Sequence, residues 1–120
     1  MGQHDRAMDE AQAAAERWLA LVDAGDYAAA WDQAASLMKS QVDAATLGDG
    51  LGKARGVFGA LSSRSVSSRT YATELPGAPD GEYVVITTDA SFEHKRGAVE
   101  TITPTKDDDG TWRVSGYFIR

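Results

Sequence analysis

The chain has 120 residues, 42% of them hydrophobic and 25% charged, a profile that fits one globular domain and argues against a disordered chain. Its 18 acidic residues outnumber 12 Lys and Arg, and a net charge of -6 disfavours nucleic-acid backbones and anionic membrane surfaces as partners. The absence of cysteine excludes disulfides, thiolate zinc sites and cysteine nucleophiles, and no apolar run approaches the roughly eighteen residues of a membrane span.

Residues 1–6 are expected to form a disordered tail and residues 7–120 a single domain. The opening carries no apolar leader core, and Arg6 stands where a myristoylation motif needs Ser or Thr. From Ala7 to Val22, apolar residues recur at Ala7, Met8, Ala11, Ala14, Ala15, Trp18, Leu21 and Val22, the spacing of one helix face. Gly25 is the natural stop and Asp26 the natural cap of a second helix, whose face is Tyr27, Ala30, Trp31, Ala34 and Ala35, with Leu37 and Met38 leading out. Trp18, Trp31 and Trp112 read as core anchors rather than ligand platforms.

Asp43 caps a third helix with Leu47, Leu51, Ala54, Phe58 and Leu61 on its inner side. Gly48, Gly50, Gly52, Gly56 and Gly59 each cost about 1 kcal/mol against alanine inside a helix, so this element should be weak or tightly packed on a neighbour, and mobile near 48–52.

Strand-like sequence then takes over, punctuated by Pro76-Gly77-Ala78-Pro79-Asp80-Gly81, His94-Lys95-Arg96-Gly97 and Asp107-Asp108-Asp109-Gly110. Ser63 to Leu75 reads as a long polar edge strand. Glu82 to His94 alternates Val84, Ile86, Ala90 and Phe92 against Tyr83, Val85, Thr87, Asp89 and Glu93. Ala98 to Thr103 and Thr111 to Ile119 supply two more strands. The last shows Trp112, Val114 and Phe118 on one side and Arg113, Ser115 and Tyr117 on the other, with Gly116 marking a bulge or bend. Either a two-residue or a four-residue turn fits at His94 to Gly97, which leaves open which sheet face is inner. Helices first and strands after define an α+β class: three N-terminal helices packed on a curved four-stranded antiparallel sheet.

The block Trp18 to Tyr27 followed by Trp31, then Arg55, Gly59 and Ser63-Arg64, then Leu75 to Tyr83, and finally Phe92-Glu93, Lys95, Val99-Glu100-Thr101 and Gly110 to Tyr117 resemble the bacterial domain of unknown function 4019. The Pro-Gly-Ala-Pro-Asp-Gly and Trp-Arg-Val-Ser-Gly-Tyr blocks are the specific parts; Leu47 departs from the tryptophan expected there. The element order is also similar to the nuclear transport factor 2-like fold, a curved sheet wrapped on a long helix, which hosts enzymes and binding modules alike. The resemblance implies a periplasmic or otherwise exported location. A homodimer packed through the sheet face is common in that fold class.

Arg64, Tyr71, Tyr83, Asp89, Glu93, Glu100, Arg113 and Tyr117 are the ionisable or phenolic residues that such a sheet would offer to a pocket, with arginine as the fork for a polar ligand. Cross-strand ion pairing explains the same residues without a ligand. Of the two histidines, His4 falls in the tail and His94 at a hairpin end, so neither suits a buried general base. Asp89 with Tyr83 or Tyr71 is the one conceivable acid–base set. The triple aspartate lacks calcium-loop spacing and reads as a tight hairpin turn, and Glu93 with His94 offers two metal ligands at most. No cofactor motif is present, so no cofactor is expected.

Surplus apolar surface is expected at Leu19 and Ala20, or at Val85 and Ile119. The reading that follows is a non-enzymatic binding or protein-interaction module of the cell envelope, with a homodimer through the sheet face. A small-molecule pocket protein is the alternative, and an isomerase- or lyase-type enzyme using Asp89 and a tyrosine comes third.

Overall fold

The computed structural model describes residues 2–120. Four helices, α1 (Asp5–Asp23), α2 (Tyr27–Asp32), α3 (Ser36–Gln41) and α4 (Ala44–Phe58), precede four strands, β1 (Leu61–Ala72), β2 (Tyr83–Phe92), β3 (Lys95–Lys106) and β4 (Trp112–Ile119). The strands form one antiparallel meander in the order β1-β2-β3-β4, so β1 and β4 are its edges. The α+β class expected from the element order is the one observed.

α1 starts two residues before Ala7 and touches all four strands, burying Ala11, Ala14, Ala15, Trp18, Leu19 and Val22 against them. Leu19 is therefore core, not the surplus surface expected, because a fourth helix row faces the sheet. α1 stops at Gly25, whose φ of 78° lets the Asp26 amide donate to the Leu21 carbonyl at 2.9 Å and the Gly25 amide to that of Val22 at 3.0 Å. Asp26 then caps α2 through the Ala29 amide at 3.2 Å.

The expected second helix does not reach Ala34 and Ala35, and a separate short helix, α3, follows where Leu37 and Met38 were to lead out, making four helices in place of the three expected. α2 breaks at Gln33 because Ala34 and Ala35 bury their backbone on β4, where the Ala35 amide donates to the Val114 carbonyl at 2.8 Å. A tertiary hydrogen bond replaces a helical one, and Asp107, from the β3–β4 turn, accepts from the Ser36 amide at 3.2 Å at the head of α3. The aspartate run thus serves as a hairpin loop, with Gly110 at φ 82°, and as an anchor for a helix far away in sequence.

The glycine-rich α4 is one unbroken helix, capped by Asp43 through the Thr46 amide at 2.8 Å. It packs on α2 with Gly48 and Gly52 beside Tyr27, where a Cβ would make ordinary contact at 3.7 or 3.6 Å, so the packing does not require glycine at either position. Leu61, expected on the inner side of this helix, instead opens β1, because Gly59 at φ 79° turns the chain out of the helix. The chain is held there by the Glu93 amide donating to Ala60 and the His94 amide donating to Phe58, both at 2.8 Å.

β2 is regular and sorts its neighbours cleanly. Val84, Ile86, Thr88, Ala90 and Phe92 face the helices, paired with Tyr71, Arg69, Val66 and Arg64 of β1 and with Ile102, Glu100 and Ala98 of β3. The β2–β3 turn is Glu93-His94, between the paired Phe92 and Lys95, and so falls earlier than the His94-to-Gly97 run expected to hold it; Lys95, Arg96 and Gly97 (φ 69°) already belong to β3, with Gly97 in a bulge behind the turn. On β4 a bulge between the Val114 and Gly116 pairings inverts the alternation. Tyr117 consequently joins Trp112 and Val114 inside, its ring 5.2 Å from that of Trp18, while Phe118 is 61% exposed outside. This reverses the sides expected for Tyr117 and Phe118. Ile119 also turns inward, against the cluster of Ala90, Phe92 and Ala98.

Candidate functional site

One constellation draws a residue from almost every element: Asp23 from the last turn of α1, Arg55 from the last turn of α4, Arg64 from β1, Thr88 from β2, Glu100 from β3 and Tyr117 from β4. Register brings the strand residues together. Arg64 is opposite Ala90 and Thr88 is opposite Glu100, so these side chains emerge on one face within two rungs.

Glu100 is fully buried. Arg64 grips it with Nε donating to Oε1 at 2.6 Å and Nη2 to Oε2 at 3.0 Å. The Thr88 hydroxyl donates to Oε1 at 2.9 Å and the Tyr117 hydroxyl to Oε2 at 2.5 Å. A carboxylate offers about four acceptor positions, and all are taken. The other end of Arg64 holds Asp23, Nη1 to Oδ2 at 2.8 Å and Nη2 to Oδ1 at 3.0 Å. Arg55 Nη2 reaches the same Oδ1 at 2.9 Å, with its guanidinium carbon 4.7 Å from the centre of the Phe92 ring.

Two arginines and two carboxylates make this buried set formally neutral. Burial by itself would raise the Asp23 carboxyl, but hydrogen bonds and charge from Arg64 and Arg55 outweigh it and hold the group below the usual range. Burial would likewise lower Arg64, yet Asp23 and Glu100 raise it. The Tyr117 phenol is pushed up by burial first and by its bond to Glu100 second. The result is a fixed ion network. Glu100 has no free lone pair from which to accept a substrate proton.

Three of the eight residues singled out from the sequence, Arg64, Glu100 and Tyr117, meet here. The other five disperse. Tyr71 donates to Glu82 Oε1 at 2.9 Å and stacks on His4 at 3.7 Å. Tyr83 faces outward under the 73–82 loop and donates to the Pro79 carbonyl at 2.5 Å. Asp89 lies exposed on the outer face between Ser65 and Val99. Glu93 is exposed in the hairpin turn, its Oε1 3.5 Å from His94 Nε2. Arg113 sits by the β3–β4 turn, donating to Asp107 at 3.1 Å and to Asp109 at 2.9 and 2.8 Å. Among the described residues no group of three or more acidic or histidine side chains could hold a metal ion, and no helix is long and apolar enough to cross a membrane.

Asp23, Arg55 and Thr88 were missed, although two left a signal. Arg55 falls four residues after Leu51 and eight after Leu47, on the apolar stripe of its helix, and Asp23 ends a helix where the dipole disfavours a carboxylate. A charge placed against its local preference points to a buried partner.

Two clefts flank the network. One, of about 240 Å³, lies between α1 and β1 and is lined by Leu19, Arg64, Val66, Ile86 and Thr88. The other, of about 290 Å³, lies between the α1–α2 turn and α4 and is lined by Asp23, Gly25, Tyr27, Gly52 and Arg55 among others.

Helices layered on one face of an open antiparallel sheet, with an ion network between the layers, define a small α+β domain in which the buried Glu100 carboxylate is saturated while Arg55 Nε and Nη1 find no partner among the described residues. The family model for proteins of unknown function, DUF4019, matches residues 14–117, and the chain belongs to that family. No curated protein and no solved structure matches it.

Proposed function

We propose that this domain is a non-enzymatic binding or protein-interaction module, working through its outside rather than by turnover within. The observation that carries the reading is the saturated Glu100 carboxylate, whose four acceptor positions are filled by Arg64, Thr88 and Tyr117. An acid–base site needs a group free to exchange a proton, and Glu100 offers none. The outer sheet face supplies the surface: Ser65, Thr70, Thr87, Thr101 and Thr103 form a polar field beside Val85, Val99 and the exposed Phe118.

The first partner in this reading is a second copy, packed face to face through the sheet, in the manner of nuclear transport factor 2-like dimers. An envelope location belongs to the same proposal and rests on the family resemblance alone. Sedimentation velocity over a concentration series tests it. A reversible dimer is expected for the native chain, and Phe118→Asp, a change at an exposed position, should shift it to monomer. A strict monomer, or a dimer indifferent to Phe118→Asp, overturns the outer-face reading.

A further inference from the structure

The two edges of the sheet end differently. Along β4 the outward side is engaged, the Ala35 amide donating to the Val114 carbonyl at 2.8 Å where the segment between α2 and α3 crosses it. Along β1, the opposite edge, no backbone hydrogen bond forms among the described residues beyond the ladder with β2. β1 has no lysine or proline to blunt it, and its two arginines turn toward the helices and are engaged there. Its two bulges, between Leu61 and Ser63 and between Val66 and Ser68, shorten the regular edge to residues 63–66 without covering it.

An opening lies directly beside that run. Arg64 reaches from β1 to Asp23 of α1 at 2.8 Å, and Arg69 reaches Asp9 at 2.8 Å and Gln12 at 3.0 Å, so two bridges tie the strand to the helix. Between the bridges lies the cleft of about 240 Å³. Val66 shares the helix-facing side with Thr88, yet it is 39% exposed and stands in the wall of this cleft. The buried Ala15, Leu19 and Ile86 form its floor, and Gln12 and Glu16 its lip on the helix. Glu16 is exposed and has no ion-pair partner among the described residues, since the arginines on either side are held by other carboxylates.

Each property of the occupant follows from one of these features. An open strand edge is complemented by the backbone of another strand. A cleft walled by valine over an aliphatic floor takes one apolar side chain, and the uncompensated Glu16 carboxylate favours a cation. Side chains two residues apart share a face of a strand, so the apolar residue and the cation belong at i and i+2. We propose that an extended segment of a partner protein adds to residues 63–66 as a fifth strand, seats one apolar side chain in the cleft over Val66 and sets a lysine or arginine against Glu16. The site goes beyond the sheet-face dimer: it lies at the edge of the sheet, and Phe118→Asp leaves every residue of it in place.

The probe is the blocked peptide Thr-Lys-Thr-Leu-Thr-Lys-Thr, with valine and phenylalanine versions at its centre, titrated into the full chain and followed in ¹H–¹⁵N spectra. Saturable shifts centred on residues 63–66 of β1 and 12–19 of α1 are expected, in the native chain and in Phe118→Asp alike, whatever the sheet face does. N-methylation of the alternate peptide amides that face β1 should abolish binding, and methylation of the other alternate set should leave it. Serine in place of the central leucine should bind at least ~10-fold more weakly, the cost of losing a buried apolar side chain. Exchanging both lysines for glutamate should weaken binding about threefold, and Glu16→Lys should reverse that preference. Binding by none of the three apolar peptides, shifts centred elsewhere, equal loss on methylating either set, indifference to the central residue, or a charge preference that Glu16→Lys does not reverse each overturns the proposal. Concentration-dependent shifts of residues 63–66 in peptide-free Phe118→Asp overturn it too, by assigning the edge to a second copy.

Discussion

Arg64 and Arg113 perform the same operation in two places. Each guanidinium clamps two carboxylates, Asp23 and Glu100 for one, Asp107 and Asp109 for the other, at distances between 2.6 and 3.1 Å. What separates them is water. The Glu100 side chain has no exposure, whereas Asp109 is 55% exposed at a hairpin tip. Equal geometry therefore carries unequal consequence: the inner clamp ties helices to all four strands around a fully buried carboxylate, and the outer one fixes the β3–β4 turn and, through Asp107, the head of α3, with its Asp109 arm under solvent screening. Hydrogen-bond distances alone would rank them together.

The sharpest way to break this contrast is Glu100→Ala, which leaves Arg64 buried against half its partners. A loss of about 3–5 kcal/mol is expected from urea denaturation. The paired replacement Glu100→Leu with Arg64→Met should recover most of that loss, since removing both charges removes the stranded one. No recovery would mean that the network contributes attraction beyond mutual neutralisation.

Tyr117→Phe tests one strand of the same clamp and should cost about 1–2 kcal/mol. Because the folded state raises the Tyr117 phenol, its contribution is complete below the unfolded value of about 10 and disappears as pH rises through the folded one. In an alkaline absorbance titration Tyr117 should be among the last phenols to ionise, and the variant should lack that late step.

Asp23 gives a smaller effect of opposite sign. Its folded carboxyl is held low, so its contribution is present above the unfolded value of about 3.9 and fades as pH falls through the folded value. Denaturation midpoints measured from neutral pH downward should fall less steeply for Asp23→Asn than for the native chain. A parallel fall would show that other carboxylates govern the acid limb.

At the bottom of the scale stands Asp109→Asn. The Asp109 carboxyl is also held low, by its Arg113 hydrogen bond first and the Thr111 amide second, yet it is solvated. No measurable change in the urea midpoint is expected at physiological salt. A clear loss there would erase the distinction between the two clamps.

Much of the fold was legible because local signals agreed with the global arrangement. The α1 stripe, the caps at Asp26 and Asp43 and the meander order were readable from period and punctuation. Legibility failed where one residue's placement depended on a distant one. The break at Ala34 and Ala35 required a β4 carbonyl and the Asp107 carboxylate, and neither lies within reach of a helix-period count. The β4 bulge had its sign in Gly116, but not its position, and a shift of one residue exchanged Tyr117 for Phe118. For the site, residue type on the strands gathered Arg64, Glu100 and Tyr117 along with five residues that the structure disperses, since the inner face could not be chosen, while Asp23 and Arg55 were missed because each sits at a helix end that only packing brings to the sheet.

Composition and spacing alone determined an acidic, cysteine-free α+β domain with helices before an antiparallel sheet, since periodicity and turn chemistry are properties of neighbours in sequence. Tertiary structure alone decided that Glu100 is buried and saturated, that the two aspartate-clamping arginines differ in burial, and that Arg55 is buried with two donors unmatched among the described residues. Those outcomes depend on which side chains exclude water from one another, a property of the packed assembly and not of any local run of residues.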